Sequence, residues 1–307
     1  MLQSIRVKCL RRLMKSYIAL SWRSRFEPSV TITNRSIPGP QGEIKLRVYS
    51  PEGSGPFPVI IYFHGGGFVL GDLDSHAGLC AQLSAQSSSV VVAVDYRLAP
   101  EHPFPAAPED CLAATEWVLT NRESLNGLSD SLVLSGDSAG GNLAAVTASR
   151  MVERHPGAIK GQVLIYPVIA HYSKVADSGH GKKGTRWFGK KTVVRMWNTY
   201  FQDSPVLEPG ETDHPLAHPM LADHLDRLPP TLIITAGIDP LCDEGTAYAR
   251  KLTSLGVSVQ HSHYENCIHG FIGTTPSEDH HLGVGKICDW LQKLNNNGRT
   301  IIPANVF

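Results

Sequence analysis

Four short stretches of this chain hold residues whose types and order could carry a reaction: His64-Gly65-Gly66-Gly67-Phe68, Gly136-Asp137-Ser138-Ala139-Gly140, the aspartates Asp239 and Asp243, and His269-Gly270-Phe271. Together they suit acyl transfer by a serine nucleophile. A serine hydroxyl attacks poorly until a neighbouring base takes its proton, and that base needs a third group to hold its tautomer. Gly136 and Gly140 let Ser138 sit on a tight strand-to-helix turn, where side chains two residues either way would crowd the backbone. A helix opening just after Ser138 would aim free N–H groups and the positive end of its dipole at a developing oxyanion. The run of glycines lets backbone amides approach a ligand with no side chain in the way, as oxyanion stabilisation requires.

The elements that must position these groups are legible around them. Val59 to Phe63 is a buried apolar run that stops at the glycines, and Leu132 to Leu134 is another that stops just ahead of Ser138. Thr231 to Thr235 is β-rich and breaks just before Asp239 and Asp243. Val257 to Tyr264 alternates like a strand, and the loop expected after it, Glu265 to Phe271, holds His269. With TITNRS, IKLRVYS, SVVVAVDY, a helix from Glu109 to Asn121 and QVLIYPVI, strands and helices alternate along the chain. That alternation predicts an α/β fold, a mostly parallel sheet with helices on both faces, whose chemistry sits at the carboxyl ends of its strands. Asp239 directly follows its strand and suits orienting a histidine, while Asp243 suits a cap or pair at the start of a helix expected near Glu244.

HGGGF, DYRLAPEHPFPAAPED, GDSAGGNLAA, DPLCDEG and HGF, in this order, resemble the hormone-sensitive-lipase-type serine esterases, and the likeness runs from about Val30 to the C-terminus. The resemblance implies the α/β-hydrolase fold with a helical cap. It implies Ser138 as nucleophile, Asp239 as the acid, His269 as the general base, and the amides of Gly66, Gly67 and Ala139 as the oxyanion hole. Cys242 stands where the family usually has arginine. The function implied is hydrolysis of short- to medium-chain carboxylic esters through an acyl-enzyme, with no cofactor and no metal. An amidase or deacetylase would use the same residues, so the sequence leaves that alternative open. Non-catalytic ligand-binding members of the fold are the other alternative, but they lack the histidine that this chain retains as His269.

Composition fits one catalytic domain. The chain has 307 residues, of which 42% are hydrophobic, enough for one large core. Its net charge is zero, so nothing suggests an extended nucleic-acid-binding surface. Six scattered cysteines with no CxxC pair suit free thiols, and a cytoplasmic setting is expected. His261, His263, Cys267 and His269 resemble a metal cluster, but a serine mechanism needs none. Residues 1–29 form an expected cap region, basic from Arg6 to Arg25 with apolar residues at helical spacing, ahead of a catalytic domain at 30–307. A cap insertion is expected at about 171–228, where Trp187, Phe188, Trp197, Tyr200 and Phe201 either line an acyl pocket or pack the cap onto the core. The expected partner is a small-molecule ester. Membrane contact through the basic helix and homodimer formation stay open.

Overall fold

Eight strands form one sheet: β1 (Val30–Gly39), β2 (Gly42–Pro51), β3 (Phe57–Phe63), β4 (Val90–Asp95), β5 (Gly127–Asp137), β6 (Gly161–Ile165), β7 (Thr231–Ile238) and β8 (Val259–Ile268). Their spatial order is β1-β2-β4-β3-β5-β6-β7-β8. The two pairings that involve β2 are antiparallel and the remaining five pairings are parallel. The computed structural model describes residues 7, 10, 11, 29–173, 184, 185, 188–208, 210–273 and 276–296.

Central strands read as unbroken apolar runs because both faces are covered. Alternate residues feed two separate cores. Val59, Ile61 and Phe63 of β3 join one core with α2 (Ala106–Asn121), α3 (Ala139–Arg154) and α5 (Cys242–Ser254). Ile60 and Tyr62 face the other, against α1 (Ala77–Ser87) and α6 (Glu278–Asn296). The segment between β6 and β7 carries α4 (Lys190–Phe201). Among the described residues, no helix is long and apolar enough to cross a membrane.

Three boundaries differ from the sequence reading. Helix α2 starts at Ala106 instead of Glu109, because Pro108 falls in the first turn, where its missing N–H has no acceptor to lose. Helix α5 starts at Cys242, ahead of Glu244. Strand β8 continues to Ile268, so Glu265 to Ile268 are strand and not loop. As the last strand of the sheet, β8 tolerates the exposed polar pair Glu265 and Asn266 that make this stretch look like a loop. Of the basic segment at the N-terminus, Val7, Leu10 and Arg11 are helical, and Val7 packs against the core. Its other residues, with Trp187 of the insertion, lie outside the described residues.

Candidate active site

The carboxyl ends of β3, β5, β7 and β8 deliver the four stretches to one place. Register does much of this. Ile238 of β7 pairs with Ile268 of β8, so the next residue on each strand, Asp239 and His269, emerge side by side. His269 Nδ1 lies 2.8 Å from Asp239 Oδ2, and His269 Nε2 lies 2.9 Å from Ser138 Oγ. Asp239 is fully buried, and its Oδ1 accepts the Leu241 N–H at 2.9 Å, which fixes the carboxylate in its plane. Asp243 stands in the first turn of α5, one turn beyond, where no side chain makes a cap hydrogen bond.

Ser138 sits between β5 and α3 with φ 55° and ψ −118°, a strained conformation for a residue with a side chain. Its N–H donates to Ile165 O at 2.8 Å, and its carbonyl accepts from Val168 N at 3.1 Å, so the turn is bolted to the segment after β6. Both flanking glycines are required by contact with backbone. A Cβ on Gly136 would strike Gly140 O, and one on Gly140 would strike Phe63 O.

Gly66 and Gly67 have φ +127° and +63°, and a Cβ on Gly66 would strike Leu70 O. Among the described residues, no acceptor takes the N–H of Gly66, Gly67 or Ala139. Ala139 opens α3, so its amide has no partner within the helix. The glycine loop and the serine turn are tied together through Asp137, a residue the sequence reading passed over. Its Oδ1 accepts from Gly65 N and from Tyr62 OH, each at 2.8 Å, and lies 3.3 Å from His76 Nε2. Burial pushes the Asp137 carboxyl up, but His76, Tyr62 and the Gly65 amide outweigh it and hold it below the usual range.

His64 is buried behind this loop. Its Nδ1–H donates to Gly65 O at 2.9 Å, and the Tyr96 hydroxyl donates to His64 O at 2.6 Å. Its Nε2 meets no partner among the described residues, so a second proton would create a buried donor without an acceptor. Burial and neighbouring His76 hold this imidazole down to about 4, from an ordinary 6.5. Between those two values the unfolded chain binds the proton and the folded chain does not, so stability falls as pH drops through that window. Urea unfolding measured from pH 7 to 4 is expected to show this decline, and His64→Gln should lessen it by the share of His64, with buried His280, also held down to about 4, supplying part of the remainder. An unchanged slope in that variant would assign the acid sensitivity elsewhere.

Two residues already noted in the sequence take contacts there that only the tertiary structure reveals. Glu244 is buried on α5 and accepts the amides of Ile169 at 3.2 Å and Ala170 at 3.4 Å. Burial drives its carboxyl well above the usual range despite those bonds. Phe188, from the insertion, stacks on the His269 ring. The other described aromatics pack the insertion down: Tyr200 stacks on Phe68 at 4.0 Å, Trp197 lies beside both, and Tyr200 and Phe201 meet Phe104 edge-on. The proline-rich stretch after β4 braces the loop, with Arg97 paired to buried Asp110 at 2.8 Å. The apparent metal cluster resolves differently, since His261 and His263 both contact Thr235 Oγ1, at 2.9 and 3.0 Å. Cys242, in the arginine position, is buried and lies 3.9 Å from His263 Nδ1.

Comparison with known proteins agrees with this architecture. Residues 60–273 match a family described as having the alpha/beta hydrolase fold. Over 248 residues the chain is 39% identical to carboxylic ester hydrolase LipN of Mycobacterium tuberculosis, covering 79% of this chain and 65% of that protein. Esterase LipI of the same organism is 37% identical over 254 residues, covering 82% of this chain and 78% of LipI. Among solved structures, an esterase from Pyrobaculum calidifontis superposes with a TM-score of 0.88 at 37% identity, covering 94% of this chain and 93% of that one. With the fold matched across the sheet and the relatives aligned over most of its length, the chain belongs to the alpha/beta hydrolase fold family, among the esterases of hormone-sensitive-lipase type.

Proposed function

We propose that this protein is a serine carboxylesterase that hydrolyses short- to medium-chain carboxylic esters through an acyl-enzyme. The observation that carries this reading is that one imidazole, His269, contacts Ser138 Oγ at 2.9 Å through one nitrogen and Asp239 at 2.8 Å through the other. Asp239 holds the proton on Nδ1, which leaves Nε2 as the base. As Ser138 attacks the ester carbonyl, its proton passes to Nε2, and the amides of Gly66, Gly67 and Ala139 stabilise the oxyanion. The alcohol leaves with that proton. Water then repeats the sequence on the acyl-enzyme and releases the acid.

The N-terminal segment and the insertion at about 171–228 act as a cap in this reading. Support comes from Arg11, whose guanidinium donates to Val69 O at 2.7 Å and Ala99 O at 2.8 Å and pairs with Glu101 at 2.9 Å. Those contacts fasten Arg11 to the turn that follows the oxyanion glycines, through Val69, and to the proline-rich stretch after β4, through Ala99 and Glu101. From the insertion, Met196 packs so closely on Gly67 that a Cβ there would strike its Sδ. A cytoplasmic setting is part of the same reading, supported by the free, buried thiols of Cys80, Cys111, Cys242, Cys267 and Cys288.

A covered site sets a limit on acyl length. Each methylene buried gains about 0.8 kcal/mol until the pocket is full, roughly a fourfold rise in kcat/KM per carbon. Activity on p-nitrophenyl esters is expected to rise, peak among short to medium acyl chains and then fall. Matched amides should be cleaved far more slowly, and a stoichiometric burst of p-nitrophenol should mark the acyl-enzyme. Preference for emulsified long-chain triglyceride would overturn the acyl-length claim. Amides cleaved faster than the matched esters would replace the esterase with an amidase.

A further inference from the structure

Phe188 covers one face of the His269 ring. The two rings are stacked, with centroids 3.9 Å apart and planes 9° from parallel. Described residues of the insertion hold Phe188 there: Gly184 bridges to Gly189, Thr185 N–H donates to Phe188 O at 2.9 Å, and Phe188 N–H donates to Thr185 Oγ1 at 3.1 Å. Gly184 is fixed by its close surroundings, since a Cβ on it would strike Phe188 O and lie 3.0 Å from Pro240 Cδ, beside Asp239. Tyr166 closes toward His269 as well, at 4.7 Å and 58°. The imidazole keeps its polar contacts in its own plane, to Asp239 and Ser138, and meets aromatic rings elsewhere.

We infer that Phe188 is a positioning residue of the ester hydrolysis, whose π face stabilises the imidazolium formed when His269 takes the Ser138 proton. This rests on the serine-esterase reading. In that step the Oγ–H bond breaks, the proton joins Nε2, and Oγ bonds to the carbonyl carbon, whose π electrons move to its oxygen. The positive charge that appears on the imidazole is matched in plane by the Asp239 carboxylate. Perpendicular to that plane, the negative face of the Phe188 ring attracts it. A neutral imidazole gains only dispersion from the same ring. The interaction is therefore stronger in the transition state than in the ground state, and it belongs to the rate and not to substrate binding.

Two replacements at position 188 separate charge from shape. Pentafluorophenylalanine, incorporated at that site in the full-length protein, keeps the ring but reverses the polarity of its face, and Phe188→Leu keeps an apolar cover without a π system. With p-nitrophenyl butyrate, each is expected to lower the burst-phase acylation rate roughly five- to tenfold with KM within about twofold, while Phe188→Tyr recovers the rate to within about twofold. An acylation rate insensitive to the fluorinated ring overturns the inference, even if Phe188→Leu is too unstable to assay. So does a rise in KM at unchanged rate, which would make Phe188 a pocket wall. Failure of the unmodified protein to hydrolyse p-nitrophenyl butyrate, or undiminished turnover in Ser138→Ala, would instead bring down the serine-esterase reading, and this inference with it.

Discussion

Ser138→Ala is expected to lower kcat on a short-chain ester by roughly 10⁴- to 10⁶-fold while leaving the fold intact. The fold should survive because the serine hydroxyl's partner is His269, whereas the turn is held by backbone: Ser138 N–H to Ile165 O, and Val168 and Asn142 N–H to Ser138 O. Alanine keeps all three bonds and the strained φ of 55° already borne at this position. What disappears is the atom that forms the acyl bond. The oxyanion amides and Asp239 remain, so residual hydrolysis by bound water should persist well above the uncatalysed rate. Circular dichroism and the urea midpoint check the fold, and steady-state kinetics check the rate. A folded variant with near-wild-type turnover would remove Ser138 from the role of nucleophile.

The parts of this site written in adjacent residues were open to sequence reasoning, and the parts written in contacts between distant elements were not. Glycines at 136 and 140 announce a crowded turn because the constraint is local, and each indeed faces a carbonyl, Gly140 O or Phe63 O. The convergence of Ser138, Asp239 and His269 follows from their places just past the ends of parallel strands, a property of chain order. The exposed polar residues of β8 hide its full length, because an edge strand carries no apolar signature where it faces solvent. Asp137 and Glu244 look like ordinary charges in the string. Their role appears only when Gly65, 72 residues away, and Ile169, 75 residues away, are seen to donate to them. Phe188 stands out in the string only as one aromatic of the insertion, and its stack on the His269 ring appears only in the fold.

The aspartates at 239 and 243 should separate sharply when each is changed to asparagine. Asp239→Asn preserves shape and can still accept the Leu241 N–H, so the loop should hold. Its amide, however, can present an NH₂ to His269 Nδ1 where the carboxylate accepted a proton. The imidazole then favours the tautomer with the proton on Nε2, which faces Ser138 as a donor and can no longer act as its base. The expected loss is roughly 10⁴-fold in kcat with a small change in KM. Asp243 occupies the first turn of α5, where a negative charge gains about 0.3–1 kcal/mol from the helix dipole. Asp243→Asn should therefore cost less than about 1 kcal/mol of stability and leave kcat within about threefold. Both variants can be compared in one experiment, with urea midpoints to exclude unfolding and kcat on the same ester. Greater damage to kcat from Asp243→Asn, with both proteins folded, would transfer the orienting role from Asp239 to its neighbour and leave the 2.8 Å contact with His269 without a catalytic meaning.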